Sequence, residues 1–193
     1  YFENASGNTL ENIVSNSSPD YGVYLYSSNT NTLQEITVQE NQYFDIILSP
    51  SSPSDCNNLL QNVTGSGDRP IEYYNYSITL ENKTFSELIL CNAPNSNITN
   101  ITIIGSDTYK NNALLVYYTN NSNFKDINSS YNYYGIWLYF SSSNILQEIT
   151  ANSNGDDGIW LYSSSSNTLQ EITANSNGDD GIWLYSSSSN TLQ

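Results

Sequence analysis

Residues 153–175 read SNGDDGIWLYSSSSNTLQEITAN, and residue 176 begins the same words again. Gly135, Gly158 and Gly181 mark one register at intervals of 23 residues. A catalytic site is built once, whereas a stretch copied almost letter for letter is architecture first. Such an internal period is the signature of a solenoid, in which each unit buries its apolar face only against its neighbours. Earlier copies are looser. YGVYLYSSNTNTLQEIT begins at Tyr21, a longer variant begins at Tyr43, and GNTLENI near the start carries the tail of another. Weaker copies run through residues 95–103 and 113–128.

The content of one period selects the kind of solenoid. In GIWLY the side chains alternate, with Ile159 and Leu161 on one face and Trp160 and Tyr162 on the other. SSSSN is turn chemistry, TLQEIT is a second short extended piece, and NSNGDDG is a corner. No segment carries helical i, i+3, i+4, i+7 periodicity over two turns. A leucine-rich repeat has a similar period, but its L-x-x-L-x-L-x-x-N frame is not met, because the apolar pairs LQEI and IWL fall on separate strands. The reading is an all-β, right-handed parallel β-helix with coils of 22–23 residues. Each coil gives Ile159, Leu161, Leu169, Ile172 and Ala174, or their equivalents, to a narrow core. Coils then stack at the ~4.8 Å strand spacing. Asn31, Asn144, Asn167 and Asn190 hold one position before the second strand, where stacked amides can form a hydrogen-bonded ladder. One continuous solenoid is expected, with coils over 1–64, an irregular coil or projecting hairpin over 65–103, and regular coils over 104–193. Both ends fall inside a copy of the motif, so the chain reads as part of a longer array whose targeting segment and anchor lie outside it.

Composition narrows the partners. Four basic residues face 19 acidic ones, for a formal charge of -15, a surface that repels nucleic acid and anionic lipid. No apolar run approaches the ~20 residues of a membrane span, and no signal peptide is visible. The polarity comes from Ser, Asn, Thr and Tyr, a profile that fits an extracellular or cell-surface protein. Nine Asn-x-Ser/Thr sequons, at Asn4, Asn16, Asn62, Asn75, Asn82, Asn97, Asn100, Asn120 and Asn128, are candidate attachment points for N-linked glycans. Cys56 and Cys91 are the only cysteines, and they are either one disulfide or two buried thiols.

Three features could carry chemistry. Asp156–Asp157 and Asp179–Asp180 fall in the NGDDG corners. Asn and Asp tolerate the left-handed region there and Gly supplies positive φ. Stacked one coil apart, the same carboxylates are oxygen donors of the kind calcium takes. Calcium is the one cofactor considered, and a catalytic carboxylate pair is not expected in identical successive copies. Trp137, Tyr139, Trp160, Tyr162, Trp183 and Tyr185 form two outward columns, suited to coil-on-coil stacking, lateral association or glycan binding. Lyase chemistry wants a cation beside such carboxylates, and Arg69, the only arginine, has no acidic cluster near it in sequence.

GIWLYSSSSNTLQEITAN resembles the short β-helix repeats of secreted proteins in the periplasmic copper-binding (nitrous oxide reductase maturation) superfamily, which recur in archaeal and bacterial surface proteins. ENKTFSELILCNAPNSNITNITIIGSD resembles a module of archaeal surface repeat proteins. The resemblance implies the fold and an extracellular setting. It does not extend to copper, since the chain has no His or Met and no spare Cys to bind it. The expected function is a structural or adhesive extracellular repeat protein, self-associating into a rod or filament and not an enzyme. The alternative is a secreted β-helix that binds or processes carbohydrate, which a non-repeated acidic groove would favour.

Overall fold

The computed structural model describes all of residues 1–193. Short strands alternate with tight corners, and two 3-10 turns, Pro53–Cys56 and Ser66–Asp68, are the only helical residues. The strands form two stacks. In the first, Phe2–Glu3, Tyr21–Tyr26 and Phe44–Ser49 make one parallel wall. Thr9–Glu11 with Val14–Asn16, then Thr32–Gln39 and Leu59–Thr64, make the other. In the second stack one wall holds Pro70–Tyr74, Glu87–Cys91, Leu114–Tyr117, Ile136–Tyr139, Ile159–Tyr162 and Ile182–Tyr185. Its other wall runs Thr79–Phe85, Asn97–Ile103, Asn123–Ser129, Ile145–Thr150, Thr168–Thr173 and Thr191–Leu192. The repeat lands on itself in register: Ile136 pairs with Ile159 and Ile159 with Ile182. This is the expected right-handed parallel β-helix. Ile159, Leu161 and Leu169 are fully buried, and Ile172 packs half-buried against the same core. Ala174, in the last full coil, is half-buried.

TLQEIT is a corner, not one straight piece. Leu146 and Ile149 are both buried although three residues apart, which strict alternation forbids. Glu148 lies between them at φ 56°, and the register passes over it, pairing Gln147 with Gln170 and Ile149 with Ile172. The same left-handed bend falls at Asn12, Glu35, Asn62, Asn82, Asn100, Asp126 and Glu171. Each non-glycine residue there costs roughly 1 kcal/mol, offset by the buried pair it allows. At the NGDDG corner the expectation of positive-φ glycines fails: Ser153 and Ser176 take φ 58° and 57°, and none of Gly155, Gly158, Gly178 and Gly181 does. Gly158, Gly178 and Gly181 answer crowding instead. A Cβ on Gly158 would meet Asn177 Nδ2 at 2.5 Å and the Gly181 carbonyl at 2.6 Å.

Inside the corners, side chains continue the ladders. The N–H groups of Ser122, Asn144 and Asn167 donate to Oδ1 of Asn144, Asn167 and Asn190 at 2.8, 2.8 and 2.7 Å. The three Nδ2 groups donate to the carbonyls of Thr119, Ser141 and Ser164. The ladder at these positions is therefore amide-to-backbone. Amide-to-amide bonds occur between Asn8 and Asn31, Asn31 and Asn58, and Asn154 and Asn177.

Residues 65–103 are neither a bulge in one stack nor a projecting hairpin. The chain reverses after Thr64, and Pro70–Tyr74 runs antiparallel to Leu59–Thr64 through the pairs Val63–Ile71 and Thr64–Pro70. One ten-stranded sheet thus joins the two stacks, and residues 70–103 supply the first coils of the second. The face that looks into the first stack's core becomes the outer face of the second stack's wall. Glu87–Cys91 and Leu114–Tyr117 are consequently buried on both sides. Leu88, Leu90, Leu114 and Val116 line the second core, while Ile89, Cys91, Leu115 and Tyr117 belong to the first. Cys56 and Cys91 are joined by a disulfide across this joint.

Polar groups complete the joint. Asp45, fully buried, accepts from the Ser66 N–H at 2.8 Å and from Nδ2 of Asn112, Asn41 and Asn111 at 2.9, 3.0 and 3.3 Å. Glu87 is equally buried, and its Oε2 accepts the edge N–H of Ile46 at 3.2 Å. Its Oε1 and the Tyr117 hydroxyl have no partner. Burial first, and Asp45 second, hold the Glu87 carboxyl well above the usual carboxylate range. A carboxyl raised in the folded state stabilises it at acid pH, and that contribution is lost as pH climbs toward the folded-state value. Glu87→Gln keeps the shape and stays neutral. It should match the parent melting temperature near pH 4 and exceed it by a growing margin as pH rises above the ordinary carboxylate range. Parallel melting curves for the two proteins across that rise would contradict this account of the joint.

Candidate functional site

The outward residues of the repeated strand form two columns. Leu115, Trp137, Trp160 and Trp183 lie in register, as do Tyr117, Tyr139, Tyr162 and Tyr185. The indoles stack face to face, Trp137 on Trp160 at 4.6 Å and Trp160 on Trp183 at 4.9 Å, both tilted by 7°. The phenols stack at 5.1 Å, Tyr139 on Tyr162 and Tyr162 on Tyr185. Trp137 and Trp160 are half-buried and Trp183 is 37% exposed. Tyr134 packs against both Trp137 and Trp160, at 5.7 and 5.3 Å. The Nε1 groups of Trp137 and Trp160 are buried without an acceptor. The faces of Trp137, Trp160, Tyr139 and Tyr162 are thus taken up by neighbouring rings, and these four present their edges outward. Sugar stacking requires an open ring face, so this geometry suits coil-to-coil cohesion and edge packing better. Lower down, the same columns pass beneath the first stack, which covers Ile89, Leu115 and Tyr117.

Parallel stacked indoles cohere by dispersion and by the apolar surface they withdraw from water. Trp160 is the middle ring and touches both neighbours. Trp160→Ala leaves the outer rings about two strand spacings apart and should lower stability by roughly 2 kcal/mol, whereas Trp183→Ala, which loses one stacking partner only, should cost less. Equal losses for the two variants in denaturant titrations would mean that the middle ring gains nothing from its two neighbours.

Beside the columns lies the acidic corner. Of the four aspartates expected to act together, Asp156, Asp157 and Asp179 bring carboxylate oxygens within 4.8 Å of one another. Asp180 contributes its backbone N–H to Asp157 Oδ1 at 2.9 Å and its carboxylate is not in the group. Burial, then Asp156, Asp180 and Asp179, push Asp157 up to about 6, against the lowering effect of that N–H. The oxygens are of the type calcium takes, but three carboxylates are about half of the 6–8 ligands it needs. Since the folded-state value is raised, the stabilisation from protonated Asp157 is complete below about pH 4 and is lost as pH rises toward 6. Asp157→Asn keeps an acceptor for Asp180, so it should raise stability at pH 7 by on the order of 1 kcal/mol, after screening, and leave it unchanged near pH 4. Calcium at pH 7 should raise the melting temperature of the parent more than that of the variant. Equal responses would remove the cation from this corner.

Other candidates resolve individually. Arg69 donates Nε to the Ile104 carbonyl at 2.9 Å and Nη2 to the Gly105 carbonyl, and it pairs with Asp107 at 3.4 Å. It fastens two turns together and is not beside the acidic corner. The sequon residues Asn4, Asn16, Asn62, Asn82, Asn100 and Asn128 are exposed, whereas Asn75, Asn97 and Asn120 are half-buried. Asn75 donates Nδ2 to the Cys56 carbonyl at 3.1 Å, and Asn120 Oδ1 accepts the Ser142 N–H at 2.6 Å. A depression of about 720 Å³ over the antiparallel joint was not foreseen from sequence. Glu35, Asn62, Asp68 and Glu72 line it, with Leu60 and Ile71 beneath. Only the chain reversal brings those residues together, and no local pattern announces it.

Stacked parallel coils with aliphatic interiors and hydrogen-bonded corner ladders define a β-solenoid. The family described as right handed beta helix region matches residues 71–193, and the chain belongs to that family. The match begins at the first strand of the second stack. Neither a curated protein nor a solved structure matched the chain.

Proposed function

We propose that the chain is a rigid structural element of an extracellular or cell-surface repeat protein, associating through its aromatic edge into a larger rod or filament. The observation that carries this reading is that the prominent features recur coil by coil. The indole stack, the phenol stack and the Asn and Ser ladders each gain a member with every added turn. Properties that scale with length suit a rod or an adhesive surface. The disulfide is the bond an oxidising compartment favours. No helix is long and apolar enough to cross a membrane.

A charge of -15 opposes lateral contact, so association through the aromatic edge should depend on screening. Below about 0.01 M salt, where the Debye length is ~30 Å, the chains should stay apart, and at about 0.5 M salt they should associate laterally. Light scattering and electron microscopy across that range check this. A compact monomer at every salt concentration would defeat the filament reading. Carbohydrate recognition is the second reading, favoured by the depression lined by Glu35, Asp68 and Glu72, which is acidic and not repeated. Saturable binding of a polysaccharide, lost in Glu72→Gln, would support it.

A further inference from the structure

The left-handed bend of the second strand places one residue per coil on the outside of a corner, and all eight of these residues are exposed. In the later coils they are acidic, Asp126, Glu148 and Glu171. In three others, Asn62, Asn82 and Asn100, the corner residue opens a sequon. A corner of this kind sets the side chain out from the sheet, clear of the ladder bonds that occupy Asn75 and Asn120.

The three are not equivalent. Asn62 donates its Nδ2 to Glu35 Oε1 at 2.7 Å. Asn82 and Asn100 occupy neighbouring coils, and Asn100 Nδ2 donates to Asn82 Oδ1 at 2.6 Å. The Asn82 Nδ2 has no protein partner, and its sequon hydroxyl residue, Thr84, is exposed, whereas Thr102 of the other sequon is half-buried. The registers Ile101–Lys83 and Thr102–Thr84 hold the two corners one strand spacing apart, about 4.8 Å, which leaves lateral room for one sugar chain and not for two.

We propose that Asn82 and Asn100 form a single attachment site for one N-linked saccharide, carried by Asn82. The proposal rests on the extracellular reading above. In the transfer, Asn82 Nδ2 bonds to the anomeric carbon of a saccharide supplied as a phosphate-linked donor by a separate transferase. The bond from that carbon to the donor's phosphate oxygen breaks, the phosphate leaves with the electron pair, and the amide gives up one proton. Asn82 Oδ1 is untouched and continues to accept from Asn100.

The test is to secrete the full chain from a eukaryotic host and map each sequon by enzymatic deglycosylation in heavy-oxygen water with peptide mass spectrometry. The expected result is one modified residue in the pair, Asn82, on every molecule. In Asn82→Gln the saccharide should move to Asn100, because the exclusion between the two is steric. Because both residues are exposed, yield and melting temperature should change little, and normal values of both would confirm that the variant folds. Both residues modified on one molecule would overturn the single-site proposal, as would modification of Asn100 alone in the parent. A bare pair on molecules modified at Asn4 or Asn16 would overturn the site while leaving the extracellular reading standing. Absence of saccharide at all nine sequons would overturn the site and count against the extracellular reading with it.

Discussion

Every residue in the regular part of this protein lies one strand spacing from its own counterpart. That constraint, like stacked upon like, governs what the sequence can contain. Aliphatics, amides, hydroxyls and flat rings all gain from touching copies of themselves, and the columns Ile136–Ile159–Ile182 and Trp137–Trp160–Trp183 are built from them. Like charges directly opposite each other are destabilising. Charged residues accordingly make up only 12% of the chain, and the repeated coils keep their acids at bends and corners. Glu148 finds Lys125 of the preceding coil at 3.2 Å. Asp157 pairs with no basic side chain and instead gains affinity for a proton.

The same constraint makes the end of a stack a problem, since the last coil has apolar atoms and ladder groups with nothing above them. The first stack solves it internally. Its closing strand, Phe44–Ser49, is met by Glu87, Asn112 and the outer side chains Ile89, Leu115 and Tyr117. The second stack's wall is therefore both the side of one solenoid and the lid of another. A buried carboxyl is tolerated there because an edge N–H needs an acceptor, and neutrality is the form in which a dry site can hold it.

Much of the repeat was legible in sequence because alternation is local. Ile159, Leu161, Trp160 and Tyr162 go where a period of two sends them. The bend at Glu148 was not read, although the i, i+3 spacing of Leu146 and Ile149 is its signature. Positive φ was assigned to glycines on propensity, and crowding at Gly158 proved the stronger demand. The joint was hidden for a different reason. Strand pairing across 65–69 depends on a tertiary reversal, and its only trace is that LILC and ALLV are apolar throughout where IWLY is half aromatic. A strand without alternation is a strand covered on both sides. Of the candidate site, the aromatic columns and the acidic pairs were visible in the repeat. The absence of Asp180 from the carboxylate group and the depression over the joint were not.

The antiparallel joint has a mechanical consequence. Along the second stack's wall every strand contact holds four register pairs, but Leu59–Thr64 and Pro70–Tyr74 share only two, Val63–Ile71 and Thr64–Pro70. Tension applied along the axis would concentrate there, and those few hydrogen bonds would be first to yield. The Cys56–Cys91 bridge spans the same gap, so it works as a tether in parallel with them. Oxidised, the molecule transmits a pull from one stack to the other through a covalent link. Reduced, it would leave that load to the two register pairs and the buried contacts between the stacks.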